Sequence, residues 1–308
     1  MSKFSKEKES SIVEDYLKGL DTVQIAKKWN TYNTSIRRVL LRNGVTPKTI
    51  KERLSVKNPF RDNDEKSEYF LGLLLTDGCI SHRKDTNSVS TSLSLVDKEM
   101  VESFRDFINP KAKVSKILQK KFNTYMYMYS VRNDSIAKWL EDRGNFINKS
   151  YNCDIYIPLT PNILRGIFDG DGYWHLTKNT IHWGICGKSK IFLEKIQSYL
   201  KNNDINSSLV KRNKGNDNYL YYLEIHKTVD IVKVANLMYK DAHIFLTRKY
   251  DKWHLFEETL REKFSKFKEG DASSNPEPSY NKNNYLYNKI NGRFIMEGAE
   301  TIMRYLNS

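Results

Sequence analysis

The chain has 308 residues, 39% hydrophobic and 12% aromatic, enough for a sizeable core and more than one domain. Its net charge of +14 points to a polyanionic partner, because Lys and Arg that neutralise phosphates release condensed counterions. The three cysteines form no C-x-x-C pair, no apolar run is long enough to span a bilayer, and the first residues carry no signal-peptide core. These features exclude zinc ribbons, disulfide scaffolds and membrane spans, and they predict a soluble intracellular protein of the cytoplasm or an organelle matrix.

Residues 1–50 read as a small helical unit. A first helix covers 7–18 with Ile12, Val13, Tyr16 and Leu17 at helical spacing, and Gly19 closes it. Asp21 is placed to cap a second helix over 22–29. A third helix over 34–43 turns Ile36, Val39 and Leu40 inward and Arg37, Arg38 and Arg42 outward, before Gly44 and Pro47 stop it. This order resembles a helix-turn-helix domain with 34–43 as recognition helix. The resemblance implies that Arg37, Arg38 and Arg42 contact duplex DNA.

Residues 51–64 are polar and read as a linker, and 266–308 as a linker-like tail ending in a short helix. Between them the chain repeats itself at a period of about 95 residues, too long for a solenoid. Each half, 65–155 and 156–265, runs helix, two strands, helix, two strands, helix. The alternation at 125–129 (YMYMY) marks a sheet with one covered and one open face. The fold class is therefore α+β: two pseudo-symmetric αββαββα lobes with antiparallel sheets, preceded by the small all-α domain. An open sheet face can enter a major groove, which makes Arg83, Lys84, Lys116, Lys120, Arg132, Lys178, Lys211 and Arg212 candidate DNA contacts.

Each half opens on a related segment, FLGLLLTDG at 70–78 and LRGIFDGDG at 164–172. Gly72, Gly166 and Gly170 remove side chains where two helix backbones meet, so a central two-helix seam is expected. Asp77 and Asp171 then fall at the ends of neighbouring helices. Two adjacent carboxylates repel unless a cation bridges them, and Mg²⁺ suits carboxylate and phosphate oxygens. Such a site activates water for phosphodiester hydrolysis. No Walker A loop, G-x-S-x-G or H-E-x-x-H is found, and the six histidines lack metal-ligand spacing.

Over 65–265 the two segments resemble the LAGLIDADG motif of homing endonucleases. The resemblance implies a monomer with saddle-shaped sheets that straddles a long, asymmetric double-stranded DNA site. It implies cutting of both strands across the minor groove with Mg²⁺, for which Mn²⁺ substitutes. Asp77 and Asp171 would be the catalytic acids, with Gly78 and Gly172 beside them in the metal site. The sixth position is Asp169 in the second copy but Leu75 in the first, so Leu75 is expected to affect packing and not metal. A basic residue near each centre is matched by Lys249 and, less closely, by Lys149, both expected to be catalytic. Two other roles are known for relatives: a regulator that binds DNA without cutting it, and a maturase that holds structured intron RNA. Retention of both acids counts against the first, and the helix-turn-helix leans away from the second.

Overall fold

The computed structural model describes residues 4–47, 57–83, 88–176, 181–213, 219–265 and 301–307. The chain divides into two compact units, 1–55 and 56–308.

The first unit packs helices α1 (Lys6–Leu17), α2 (Thr22–Lys28) and α3 (Asn33–Arg42) around Ile12, Ile25, Ala26, Ile36, Val39 and Leu40. Asp21 caps α2 in a reciprocal capping box with Gln24, satisfying donors at the helix start. Asp15 accepts hydrogen bonds from Lys28 (2.7 Å) and from the Trp29 indole (3.0 Å), which hold its carboxyl below the ordinary range and tie α1 to α2. Arg42 does not simply face outward: its guanidinium pairs with Glu9 at 2.7 Å and braces α3 against α1. Arg37 is half-buried and Arg38 is exposed.

The second unit is built from two lobes of the same order. In the first, α4 (Glu65–Asp77) leads into β1 (Gly78–Arg83) and β2 (Ser88–Leu95). Then come α5 (Lys98–Ile108), β3 (Ser115–Gln119), β4 (Thr124–Arg132) and α6 (Asp134–Glu141). A short connection, β5 (Gly144–Asn145), α7 (Lys149–Asn152) and β6 (Asp154–Ile155), crosses to the second lobe. There, α8 (Pro161–Asp171) leads into β7 (Gly172–Leu176) and β8 (Ile181–Gly187). Next are α9 (Lys190–Asn202), β9 (Ser208–Asn213), β10 (Tyr219–Ile225), α10 (Thr228–Tyr239) and α11 (Thr247–Ser265). The antiparallel sheets have matching orders, β1-β2-β4-β3 and β7-β8-β10-β9. One core runs through both lobes and the seam, because alternate strand residues such as Leu93, Tyr129, Trp183 and Leu223 bury one sheet face beneath the helices.

The linker reading over 51–64 fails at its end. Pro59–Asp62 forms a 3₁₀ turn capped by Asn58, and Phe60 is fully buried against Phe107 and Trp139. Residues 51–56 lie outside the described residues. The tail ends in a helix over 301–307, which buries Ile302 and Leu306 in the core. Arg261 and Asn236 donate to the carbonyls of Leu306 and Tyr305 there, fastening the segment to α11 and α10. The tail at 269–284 lies outside the described residues, and among those described no helix is long and apolar enough to cross a membrane.

Candidate active site at the foot of the two-helix seam

The seam is possible because of two glycines. A Cβ on Gly72 would stand 2.2 Å from the carbonyl oxygen of Ile163, and one on Gly166 would stand 2.1 Å from that of Tyr69. The two contacts are each other's image under exchange of the helices, so α4 and α8 cross backbone to backbone about a local twofold. Around the crossing, Leu71, Leu73, Leu74, Leu164, Ile167 and Phe168 are almost fully buried.

Both helices end at their acids, Asp77 and Asp171. Gly170 makes room at the point of approach. A Cβ there would meet the Thr76 hydroxyl at 1.8 Å and the Asp77 carboxylate at 3.0 Å. Neither carboxylate receives a hydrogen bond from the described residues. Burial, then repulsion from Asp171, pushes Asp77 up to about 6. Asp171 touches solvent, yet enough protein surrounds it that burial raises its pKa too. A cavity of about 300 Å³ opens beside Asp171, lined by Thr76, Lys149, Ser150, Cys186 and Lys188, and gives water access to the acid. Two neighbouring oxygen-only groups, one half-buried and one open to solvent, with no donor on either among the described residues, fit a divalent cation.

The two lysines take up matching places. Lys149 donates to the carbonyls of Leu74 (3.1 Å), Thr76 (2.6 Å) and Gly78. Lys249 donates to the corresponding carbonyls of Phe168 (2.6 Å), Gly170 (3.2 Å) and Gly172 (2.5 Å), and also to Asp169 (2.8 Å). These are the orphan acceptors at a helix C-terminus, where a cation also complements the macrodipole. Burial lowers both ammonium groups, Lys249 to about 8, which still leaves it charged near neutrality. The structure therefore turns both lysines onto helix ends and not toward the open side of the site. The carbonyls of Gly78 and Gly172, which the resemblance puts beside the metal, each accept from one of these ammonium groups.

Sequence reasoning missed the polar frame behind the seam. Asp169 is 1% exposed and accepts hydrogen bonds from the Tyr69 hydroxyl across the seam and from the Leu246 amide, both 2.7 Å. Burial raises its carboxyl to about 6, against those two bonds. Leu75, its counterpart, is simply core. Arg165, also 1% exposed, donates to the carbonyls of Met238 (2.6 Å) and Ile244 (2.8 Å), to Asn162 (3.0 Å) and to Glu65 (2.6 Å). A charged residue inside an apolar motif was the available signal. Arg165→Met is expected to cost about 2–3 kcal/mol, because it leaves two buried carbonyls without their donor and Glu65 with His243 alone. Denaturant unfolding of the full chain measures it.

Strand register separates the DNA-face candidates. Lys116 lies opposite Tyr127, and Lys211 opposite Tyr221, in the rows of the helix-covered faces. Each ammonium sits over a tyrosine ring instead, Lys116 over Tyr125 (3.8 Å) and Lys211 over Tyr219 (4.1 Å), one cation–π pair repeated in both lobes. Arg132 stands opposite Ser90 on the open face of the first sheet, and Lys120 is exposed in the β3–β4 turn. Arg212 is on the open face of the second sheet but pairs with Glu224. The Arg83 side chain, Lys84 and Lys178 lie outside the described residues. Cross-strand pairing also gathers His175, His182 and His226 on the second open face, with the last two 2.7 Å apart through Nδ1. No group of three His, Cys, Asp or Glu suited to a metal occurs among the described residues.

The LAGLIDADG-like domain family matches residues 161–238, which is α8 through most of α10. No curated protein matches the sequence. Among solved structures, the homing endonuclease I-WcaI bound to its DNA recognition sequence is 16% identical, covering 67% of this chain and 95% of its own at a TM-score of 0.47. The meganuclease I-SmaMI bound to uncleaveable DNA is 12% identical, covering 68% and 92%, at 0.45. Mesophilic variants of the homing endonuclease I-DmoI are 17% identical, covering 61% and 99%, at 0.42.

Proposed function

We propose that this protein is a site-specific double-strand DNA endonuclease that hydrolyses phosphodiesters with metal-activated water across the minor groove of a long, asymmetric site. The observation that carries this reading is the pair Asp77 and Asp171, brought together at the feet of two crossing helices with no hydrogen-bond donor on either among the described residues. The two acids would hold divalent metal, Mg²⁺ with Mn²⁺ as a substitute, and that metal supplies a more acidic water and neutralises charge on the phosphate. Everything else is the chain's own work. The glycine seam sets the spacing of the acids. Lys149 and Lys249 fix the helix ends beneath them and offset their mutual repulsion, so both are positioning residues. The +14 charge draws duplex DNA to the molecule, and the open sheet faces, with Arg132 and Arg212, lie in its grooves. Because both lobes belong to one chain, a single molecule suffices.

The helical unit at 1–55 adds DNA contacts at one end of the site through Arg37 and Arg38. Its removal is expected to weaken binding tenfold or more, the scale of about two to three phosphates no longer neutralised, and to leave the cleavage rate of bound DNA within about twofold. Single-turnover cleavage at saturating protein separates the two effects.

The reading is tested by incubating a randomised duplex library with Mg²⁺ and wild type, Asp77→Asn or Asp171→Asn, and sequencing the ends. Staggered double-strand breaks at a discrete sequence, from wild type alone, are expected. Binding of a discrete sequence without cutting in Mg²⁺ or Mn²⁺ would replace the nuclease with a DNA-binding regulator.

A further inference from the structure

A chain of side-chain contacts crosses all four strands of the second sheet on its open face: three members share one register row, and Arg212, opposite Leu220 on the edge strand, reaches in diagonally. Tyr173 on β7, Gly184 on β8 and Glu224 on β10 are register partners. Gly184 is what lets the row form, for a Cβ there would lie 2.5 Å from the Tyr173 ring. The ring therefore passes over the glycine, and its hydroxyl donates to Glu224 Oε1 at 2.8 Å. The other carboxylate oxygen accepts from Nη2 of Arg212 on β9, the edge strand. The Arg212 guanidinium lies 4.4 Å over the Tyr222 ring, so its plane is held from below as well as from the side. Glu224 is 7% exposed, whereas the Arg212 side chain is 49% exposed. The corresponding row of the first sheet is Cys79, Ser92 and Ser130, with no such device.

A free surface arginine serves well as a phosphate clamp, because it brings a full charge and finds its own geometry. This arginine has given up both properties. Its charge is balanced by a buried carboxylate, and its fork is locked by a carboxylate and a ring. It keeps N–H donors in a fixed plane on the face turned to solvent. That combination suits a planar pair of acceptors approaching edge-on, as O6 and N7 of guanine do in the major groove. We propose that Arg212, aligned by Glu224, Tyr173 and Tyr222, reads one guanine in the part of the site served by the second lobe. The inference rests on the DNA-binding reading above.

The test is selection of bound sequences from a randomised duplex library by the full-length protein in metal-free buffer, followed by salt titration on the enriched duplex and on an unrelated one. Wild type is expected to enrich a site with an invariant guanine. Arg212→Ala should lose about 10- to 100-fold in preference at that base pair alone, with the salt dependence unchanged. Arg212→Lys should fail similarly, since it restores charge without the fork. Glu224→Gln keeps the size and an acceptor for Tyr173 but frees the arginine. It should bind the unrelated duplex more tightly, with a salt slope steeper by about one ion, while discriminating worse at the same guanine. Tyr173→Phe should blur that position with no change in slope. If Arg212→Ala weakens all sequences evenly and flattens the salt slope, Arg212 is a phosphate contact and the inference is overturned. If wild type enriches a site that Arg212→Ala reads identically, it is overturned as well. If wild type enriches no sequence at all, the DNA-site reading itself has failed.

Discussion

Asp77→Asn and Asp171→Asn are expected to abolish cleavage and at the same time to make the metal-free protein more stable. The first effect should be on the order of a thousandfold or more, the scale seen when a group acting directly on the developing charge is removed. The second follows from the cost of holding two crowded carboxylates. Burial and Asp171 raise Asp77 to about 6, so the folded state holds its proton more tightly than the unfolded chain does. The sign follows by linkage. The stabilisation from the bound proton is complete below the unfolded value near 3.8 and is lost as pH rises through about 6. At pH 7–8 the ionised pair is therefore a burden of about 1–2 kcal/mol, after allowing for solvent at the half-buried Asp77. Thermal melts in EDTA from pH 4 to 8 measure it: the wild-type melting temperature should fall between about pH 4 and 6 more steeply than that of Asp77→Asn. Adding Mg²⁺ should stabilise wild type and leave the variants nearly unmoved. A variant that loses activity and also melts earlier at pH 8 would show that the acids serve the fold and not a cation.

Gly72→Ala and Gly166→Ala are the substitutions expected to cost most stability, at least about 4 kcal/mol each, above the usual 1–3 for an overpacked core. The usual figure assumes that neighbouring side chains can give way. Here the nearest atoms to the added carbon are carbonyl oxygens of the facing helix, at 2.2 and 2.1 Å. Backbone cannot rotate aside, so the helices must part along their length. Gly170→Ala is the informative contrast. Its added carbon meets the Thr76 hydroxyl and the Asp77 carboxylate, which can swing away, but also the Thr76 Cβ at 2.5 Å, which yields only if the helix ends part. Parting the helix ends disturbs less packing than parting the crossing, so the variant's stability should fall by less than at 72 or 166, while its cleavage rate falls tenfold or more as the acids are pushed apart. Chemical denaturation and cleavage assays on the three variants check the split. Equal losses of stability at 72, 166 and 170 would mean that the seam is softer than its geometry implies.

The parts of this architecture that depend on local pattern are legible in the sequence. Gly72 and Gly166 stand out in apolar helices, and Asp77 and Asp171 follow at fixed offsets. Strands such as 124–132 alternate plainly, and Asp21 sits where a cap belongs. What escapes depends on register and on long-range partners. A shift of one residue moves a strand side chain to the opposite face, and so the sequence does not reveal that Lys116 and Lys211 share faces with Tyr127 and Tyr221 and not with Arg132 and Arg212. Arg42 and Arg212 read as free charges because Glu9 and Glu224, their partners, are distant in sequence or on another strand. Lys149 and Lys249 can be put near the acids, but nothing in their spacing tells a helix-end carbonyl from a phosphate. Arg165 escapes because a motif reading looks for apolar side chains and not for the exception among them.

The hydrogen bond from Tyr69 to Asp169 occurs once, although the seam around it is doubled. The twofold that exchanges Gly72 with Gly166 also exchanges Tyr69 with Ile163 and Leu75 with Asp169. Two copies of the first half would therefore set each tyrosine hydroxyl against leucine, and two copies of the second would set each buried aspartate against isoleucine. Neither half can pair with itself without stranding polar groups in a dry core, whereas one of each satisfies both. Severed between the lobes and expressed as two polypeptides, the halves should find each other and avoid themselves. The covalent join then matters for supply and speed of assembly, while the order of the two halves is written into the helix contact itself.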